Sequence, residues 1–419
     1  MRWIYTSVIY IYVLLIRLAA LSGNHKASLW VKGRKNLLSI YRMHFSNEDE
    51  GRFIWVHVSS LGEFEQGRPV IESLRENFPH KKILLTFFSP SGYEIRKTYE
   101  HAHVVLYLPF DSLKIMRKLT GIVRPSVVIF VKYDFWFNFM TACKEKNIPL
   151  IFISSVFRKN QYFFRWWSVW FRKQLRNADK FFVQTKESDD LLRKHHIPQS
   201  VFAGDTRIDR VMHMSKESKF FPEIERLITG KKVLIAGSTW PADEQFIIPW
   251  MKKHTDTLLI IAPHKVSETR LSHIESAIAE PVVRLSQLLK DKSFNGRIVL
   301  IDSIGVLAYL YRYADVAYIG NGFGRGIHNI LEPVVFGKPV VFGPNYKKFT
   351  EANVLISKRG AFSFSKEHQF VRIINRLFED EDFYLNASEA CKTFVSNNSG
   401  ATKLITNYLT TILKKNETH

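Results

Sequence analysis

The chain has 419 residues, 46% hydrophobic and 24% charged, with 60 Lys and Arg against 39 Asp and Glu. That length implies two domains, and the apolar fraction excludes a disordered chain. The net charge of +21 points to a polyanionic partner, whether nucleic acid, an anionic membrane surface or a phosphorylated substrate. The two cysteines, Cys143 and Cys391, give neither a disulfide framework nor a metal-ligand spacing.

Trp3 to Leu21 is an almost unbroken apolar run whose one charge is Arg17. Its length is near the minimum for crossing a bilayer, and Arg17 is close enough to one end to snorkel. His25, Lys26, Lys32, Arg34 and Lys35 follow and would hold the rest of the chain on the cytoplasmic side. The run reads as an anchor or monotopic helix, ahead of a buried helix or a cleaved signal peptide.

From Arg52 onward, short apolar strands alternate with amphipathic segments. Strands are expected at 53–58, 82–87, 104–107, 127–131, 150–154 and 180–184, with helices at 65–77 and 135–146 among them. A second series is expected at 233–236, 258–262, 299–301, 316–319 and 339–342, with helices at 245–253 and 306–311. Such alternation gives parallel sheets covered by helices, and two of them in tandem place ligands at the carboxyl ends of the strands. The polar segment near 211–230 marks the boundary. The expected domains are 1–35 (membrane segment), 36–210 and 211–419.

Three segments that follow strand ends, and one near the expected domain boundary, carry residues suited to chemistry. Val58-Ser59-Ser60-Leu61-Gly62-Glu63 ends a strand in a loop whose backbone N–H groups favour anions, although Glu63 also suits a helix N-terminus. Asp134, with Phe135 and Trp136 beside it, suits a sugar site or a helix N-cap. Gly204–Asp209 supplies Arg207 and Asp209, which by themselves would form a surface ion pair. The fourth runs from Tyr318 through Gly320, Gly322, Gly324 and Gly326 to His328-Asn329-Ile330-Leu331-Glu332-Pro333. Here glycines admit a close ligand, a helix start attracts phosphate, and Asn329 and Glu332 lie one turn apart.

These segments occur in one order with Gly237-Ser238-Thr239-Trp240, Glu244, Pro263-His264, Gly337-Lys338-Pro339 and Phe342-Gly343-Pro344. The series resembles the 3-deoxy-D-manno-octulosonic acid (Kdo) transferase family of lipopolysaccharide synthesis over nearly the whole chain. The resemblance implies an α/β protein of GT-B architecture, two Rossmann-like doubly wound domains facing a central cleft, with an N-terminal membrane-associated helix. It also implies CMP-Kdo as donor, a phosphorylated lipid A precursor as acceptor, inverting single displacement, and action at the cytoplasmic face of the inner membrane. By position, Glu63 matches the general base, Asp134 a second acidic residue and Arg207 a transition-state cation. Pro263, His264, Ile304, Gly305, Val306, Asn329, Ile330, Leu331 and Glu332 match the CMP-binding positions. The family is similar to metal-independent transferases, so neither metal nor cofactor is expected. Three positions depart from its pattern: Asp134 stands for Glu, His264 commonly for Arg, and Arg207 commonly for Lys.

Residues 157–176 hold six cations, eight aromatic rings and no acid, which reads as a helix in a membrane interface rather than a nucleic-acid surface. The alternatives are another GT-B envelope enzyme using a UDP-sugar, and a catalytically degenerate homologue. A basic scaffold or nucleic-acid-binding protein would explain the charge but not the glycine loop or Glu63.

Overall fold

The structure, a computed structural model, describes residues 1–217, 219–291 and 293–417. It contains two compact units. One comprises Met1–Asp209 together with the C-terminal stretch from Asn398, and the other comprises Arg210–Asn397.

The first unit is built on β1 (Phe53–Val58), β2 (Lys82–Phe87), β3 (Val104–Tyr107), β4 (Val127–Val131), β5 (Leu150–Ser155), β6 (Lys180–Val183) and β7 (Ser200–Phe202). All pair in parallel, in the order β3-β2-β1-β4-β5-β6-β7. The central strands are buried on both faces, which is why they read as continuous apolar runs without alternation. Strand order reverses between β1 and β4, so the loops after these two strands flank the switch point where such sheets bind ligands.

The second unit repeats the plan with β8 (Lys232–Thr239), β9 (Thr257–Pro263), β10 (Val283–Arg284), β11 (Ile298–Leu300), β12 (Val316–Ile319), β13 (Val340–Phe342) and β14 (Ala361–Ser363). Their order is β10-β11-β9-β8-β12-β13-β14, again all parallel, with its switch point between β8 and β12. Every strand expected from the sequence is present. The three that were not expected, β7, β10 and β14, are two- or three-residue edge strands, too short to show any hydrophobic period.

The expected N-terminal helix is present, and two features differ from the sequence reading. Helix α1 (Arg2–Leu21) lies against the first unit, burying Ile9 and Val13 and leaving Trp3, Ile4, Val8, Ile11, Leu15 and Leu18 exposed. Residues 157–176 do not form one helix. They give a 3₁₀ turn, Tyr162–Phe164, and a short helix, Val169–Leu175, because Phe163 turns inward onto Phe135 and Phe157. Finally, the sequence reading places 211–419 in one domain, whereas the last helix belongs to the first unit. That helix follows the pattern Ile405, Leu409, Leu413, all buried, and packs on Leu61–Asn77, where Thr406 Oγ1 donates to Ser73 Oγ at 3.2 Å. Asp209 fixes its start by accepting the N–H groups of Gly400 (2.6 Å) and Thr402 (2.5 Å).

Candidate functional site

Helix α2 (Leu61–Asn77) begins immediately after β1, and Glu63 is the third residue of its first turn. Glu63 Oε2 accepts the N–H of Ser59 (2.8 Å), the N–H of Ser60 (2.9 Å) and the Ser60 hydroxyl (3.2 Å). The loop therefore does not offer these two N–H groups to an external anion, as its composition suggested. They are spent on holding a carboxylate in place, and the capping box they complete is also what lets α2 start there.

Asp134 arrives at the same edge from β4. Lys132, with φ of 65°, turns the chain through the left-handed region as the strand ends, and Asp134 follows two residues later. It is not the N-cap of helix α3 (Phe137–Glu145). That duty falls to the buried Asp111, which accepts the N–H groups of Asn138 and Phe139, each at 2.9 Å. Burial and the neighbouring Glu63 push the Asp134 carboxyl upward, and burial likewise raises Glu63, against the pull of Lys132 and the Ser59 and Ser60 donors. The two carboxyls thus interact as a pair, with Asp134 pushed up to about 7 and Glu63 raised by burial.

His57, a polar residue within the otherwise apolar β1, completes this cluster. Its Nδ1 lies 2.9 Å from Thr86 Oγ1, a hydroxyl positioned to donate to the Val56 carbonyl, and its Nε2 faces the Trp136 indole N–H at 3.3 Å. These partners put the imidazole proton on Nδ1. Complete burial drops the ring to about 3, so it stays neutral. Its Nε2 is 3.7 Å from Asp134 Oδ2, and that oxygen is buried without a hydrogen-bond donor among the described residues. His57 was missed at the sequence level. The signal was there, since a histidine inside Phe-Ile-Trp-Val-His-Val needs a buried partner.

Arg207 is the second residue of the helix Thr206–Lys216. Thr206 Oγ1 donates to the Gln66 carbonyl of α2 and pairs with Ser154 Oγ at the end of β5. Arg207 itself is held by Asp205 through Nε and Nη2, and Asp209 caps the terminal helix, so the two do not form the ion pair expected from spacing alone.

In the second unit, Asp243 on helix α4 (Pro241–Lys253) ties the switch point together. It accepts the N–H groups of Trp240 and Asn321, each at 2.9 Å, and the Tyr318 hydroxyl at 2.8 Å. This residue, too, was missed, since its function is to fix the loops around it. A Cβ on Gly320 would lie 2.1 Å from the Ser238 carbonyl oxygen, and one on Gly322 2.4 Å from the Gly343 nitrogen. These two glycines admit neighbouring backbone rather than a ligand, which corrects the sequence reading of them.

Around this loop, Pro263 ends β9 and the His264 ring lies over Trp240 (5.0 Å) and His328 (4.4 Å), while Trp240 Nε1 donates to His328 Nε2 at 3.4 Å. Burial lowers His328 to about 4 and also lowers His264. Asn329 precedes the helical turn Leu331–Val334 instead of lying on it. Its Oδ1 accepts the Leu331 N–H (3.1 Å) and its Nδ2 donates to Glu332 Oε1 (2.9 Å). Ile330 and Leu331 are buried, so only their backbone is available to a ligand. Ile304 is fully exposed, Gly305 has open space around it at φ of 87°, and Val306 caps the next helical turn. Glu63, Asp134 and Arg207 therefore gather on the first unit, and the other nine on loops of the second.

Residues 35–210 match the family model described as 3-deoxy-D-manno-octulosonic-acid transferase. A bifunctional glycosyltransferase/methyltransferase of Fusobacterium nucleatum is 26% identical over 372 residues, 84% of this chain, which spans 56% of that protein. The 3-deoxy-D-manno-octulosonic acid transferase of Rickettsia prowazekii is 23% identical, covering 92% of this chain and 85% of its own. That of Aquifex aeolicus is 24% identical, covering 77% and 85%. Among solved structures, the UDP-GlcNAc 2-epimerase of Neisseria meningitidis aligns with a TM-score of 0.58 at 17% identity, covering 86% of this chain and all of its own. A glycotransferase of kitacinnamycin aligns at 0.56 and 12% identity, covering 87% of this chain and all of its own. Two parallel α/β sheets of the GT-B type, a matching family domain and relatives aligned along most of the chain point the same way. Residues 35–210 are similar to the 3-deoxy-D-manno-octulosonic-acid transferase family, and the chain resembles transferases of that name along most of its length.

Proposed function

We propose that the protein transfers Kdo from CMP-Kdo to a phosphorylated lipid A precursor, by single displacement with inversion, at the cytoplasmic face of the inner membrane. The observation that carries this reading is the pair of carboxyls at the β1/β4 switch point. A sugar hydroxyl is a poor nucleophile, and a carboxylate in hydrogen-bond reach must take its proton as it attacks. Glu63 has the fixed geometry for that role, held by three donors through one oxygen and leaving Oε1 for the acceptor. Asp134 supports it by keeping its own proton, pushed up to about 7 by burial and by Glu63, so that the pair's first negative charge rests on Glu63. The domains follow the family's division, the first unit taking the acceptor and the second the nucleotide.

On the donor side, CMP leaves as a phosphate monoester whose charge must be stabilised. Arg207, steered by Asp205, is the proposed cation. Pro263, His264, Ile304, Gly305 and Val306 would contribute to the nucleotide site, together with the backbone of Ile330 and Leu331. Asn329 and Glu332 present linked amide and carboxylate groups suited to ribose hydroxyls. The stacked, neutral His264 and His328 mean that phosphate affinity at this position rests on hydrogen bonding rather than on full charge.

An anionic membrane surface is the proposed partner. Arg158, Lys159, Arg165, Trp166 and Trp167 are exposed around the Tyr162–Phe164 turn, where rings meet headgroups and cations meet lipid phosphates. Arg172 does not belong to that set, because its Nη1 is engaged by the Phe163 and Arg165 carbonyls.

The test is to incubate the protein with CMP-Kdo, generated in situ, and a bisphosphorylated lipid A precursor, and to weigh the lipid by mass spectrometry. Addition of one or more Kdo units is the expected result. No addition with a verified donor and several acceptors, including a monophosphorylated one, would overturn the reading in favour of a UDP-sugar enzyme or an inactive homologue.

A further inference from the structure

Helix α1 is apolar enough to cross a bilayer, with a mean hydropathy of 2.0 over its best window. Its contacts oppose that use. Arg2 Nη2 reaches Thr141 Oγ1 (3.4 Å), Tyr5 donates to Asp111 Oδ2 (2.7 Å), Asn138 Nδ2 donates to Thr6 Oγ1 (3.4 Å), and the Tyr10 hydroxyl meets Ser112 Oγ (3.4 Å). With Val13 buried as well, the docked side extends from residue 2 to residue 13, about 17 Å of helix at 1.5 Å per residue. A spanning helix needs about 20 residues wholly immersed, and α1 has 20 with more than half its length held by a polar unit. The opposite side is an uninterrupted apolar strip through Ile4, Val8, Ile11, Leu15 and Leu18.

The polar contact at the middle of this seam involves more than α1. Asp111 is completely buried, and it is the group that caps α3 by accepting the N–H groups of Asn138 and Phe139. Tyr5 also packs its ring edge-on against Phe137, the first residue of α3, at 5.1 Å. Helix α3 begins three residues after Asp134, and Trp136 in between is the residue that reaches His57. The Tyr5–Asp111 bond, through the N-terminus of α3 that Asp111 caps, is therefore one of the contacts that join the lipid-facing helix to the segment following Asp134.

We propose that α1 is a foot lying in the plane of an anionic bilayer surface, and that Tyr5 and Asp111 are positioning residues through which it holds the Asp134 loop. The occupant of the apolar strip is the headgroup and upper acyl layer of a phospholipid bilayer. Charge complementarity selects it, since Arg17, Lys26 and Lys32 on and just after α1 are exposed or half-exposed, on a chain of net charge +21. The coupling half of the proposal rests on reading the Asp134 loop as part of the acceptor site, whereas the in-plane half does not.

Two measurements on the full chain test it, both with vesicles of phosphatidylethanolamine and phosphatidylglycerol. First, Trp3→Cys and Leu21→Cys proteins are bound to preformed sealed vesicles and exposed to a membrane-impermeant maleimide. Cys143 and Cys391 are buried and give the background. An in-plane foot leaves both introduced thiols outside, and both label. Labelling of one end only means that α1 crosses, and overturns the proposal. Second, Tyr5→Phe keeps the ring and removes one hydroxyl. It should float with vesicles and bind CMP as the parent does, while kcat for the lipid acceptor falls ~10-fold at unchanged KM, the scale of one hydrogen bond to a charged group. A merely structural bond would lower the melting temperature and leave kcat per folded molecule alone, and that outcome overturns the coupling. Asp111→Asn, which keeps an acceptor for α3, should reproduce the kcat loss. Should the parent protein transfer no Kdo at all, the functional reading fails, and the maleimide result still decides the foot.

Discussion

Glu63 is both the closing member of a capping box and the proposed base, so its two duties must be separated by experiment. Replacing it with Gln keeps a side-chain oxygen that can accept from Ser59 N–H, Ser60 N–H and the Ser60 hydroxyl. What is lost is the charge, worth about 0.3–1 kcal/mol against the helix N-terminus, and some strength in each hydrogen bond. Some of that loss is returned, because burial already disfavours the charged form. The expected stability change for Glu63→Gln is therefore below about 1 kcal/mol, while Glu63→Ala, which deletes the cap, should cost about 1–2 kcal/mol. Catalysis should respond in the opposite proportion. Both variants lose the base, and both should lose ~10²–10⁴-fold in kcat, the range of positioned proton transfer. The assay is initial-rate Kdo transfer to lipid, beside urea unfolding and CMP binding on the same preparations. A Glu63→Gln enzyme within a few-fold of the parent, with Glu63→Ala crippled only through stability, would refute the reasoning and leave Glu63 a helix cap.

The remaining predictions concern charge. Because burial raises both carboxyls of the Glu63–Asp134 pair, and Glu63 raises Asp134 further, activity should fall on acidification at a higher pH than an isolated carboxylate would give; Asp134→Asn, isosteric with the protonated acid, should leave that limb in place, read from kcat/KM profiles, and a limb that moves to lower pH would mean that Asp134 carries charge where Glu63 titrates. Glu332→Ala should weaken CMP binding ~5–20-fold by calorimetry, the value of one or two hydrogen bonds, and an unchanged affinity would argue against its assignment. Burial lifts the Asp111 carboxyl to about 6 from 3.8, so its contribution to stability is fully present below about pH 3.8 and lost as pH rises through about 6, a swing of about 3 kcal/mol that Asp111→Asn should flatten in unfolding curves. Reversing Arg158, Lys159 and Arg165 to Glu should abolish flotation with anionic vesicles at physiological salt while leaving CMP binding intact, whereas reversing Arg172 should chiefly lower the melting temperature.

The central strands were legible because a parallel sheet buried on both faces leaves runs such as Val127–Val131 and Leu150–Ser155, which no helix of that length would need. Glu63 and Asp134 stood out because they come just after such runs, where strand ends deliver side chains to a shared edge, and Asn329 because of the glycines that precede it. Neither the Asp243 bridge nor the His57 contacts could be read that way. Each depends on partners distant in sequence, 78 residues for Asp243 to Asn321 and 79 for His57 to Trp136. The 157–176 segment misled for a different reason. Its composition speaks only for its exposed rings and cations, whereas Phe163 and Ser168 are buried, and their inward turn breaks the helix that the pattern suggested.

The departure of Asp134 from the family's Glu gains a physical meaning beside His57. The Nε2 lone pair of that neutral ring is already engaged by the Trp136 indole, and Asp134 Oδ2 stops 3.7 Å away without a donor. A longer carboxylate would meet the same lone pair with no proton between them, so a glutamate would need a donor elsewhere. The shorter side chain thus leaves a buried oxygen unsatisfied, and such an oxygen is most cheaply accommodated by carrying the proton itself. On this argument Asp134 is the protonated and Glu63 the ionised member of the pair at neutral pH, which is the division a base at Glu63 requires. Asp134→Glu gives the decisive comparison. If the longer side chain finds a donor, its ionisation should become easier, the repulsion on Glu63 should grow, and the acid limb of kcat/KM should move to higher pH. A limb that stays in place would mean that the orphaned oxygen does not set where the proton resides.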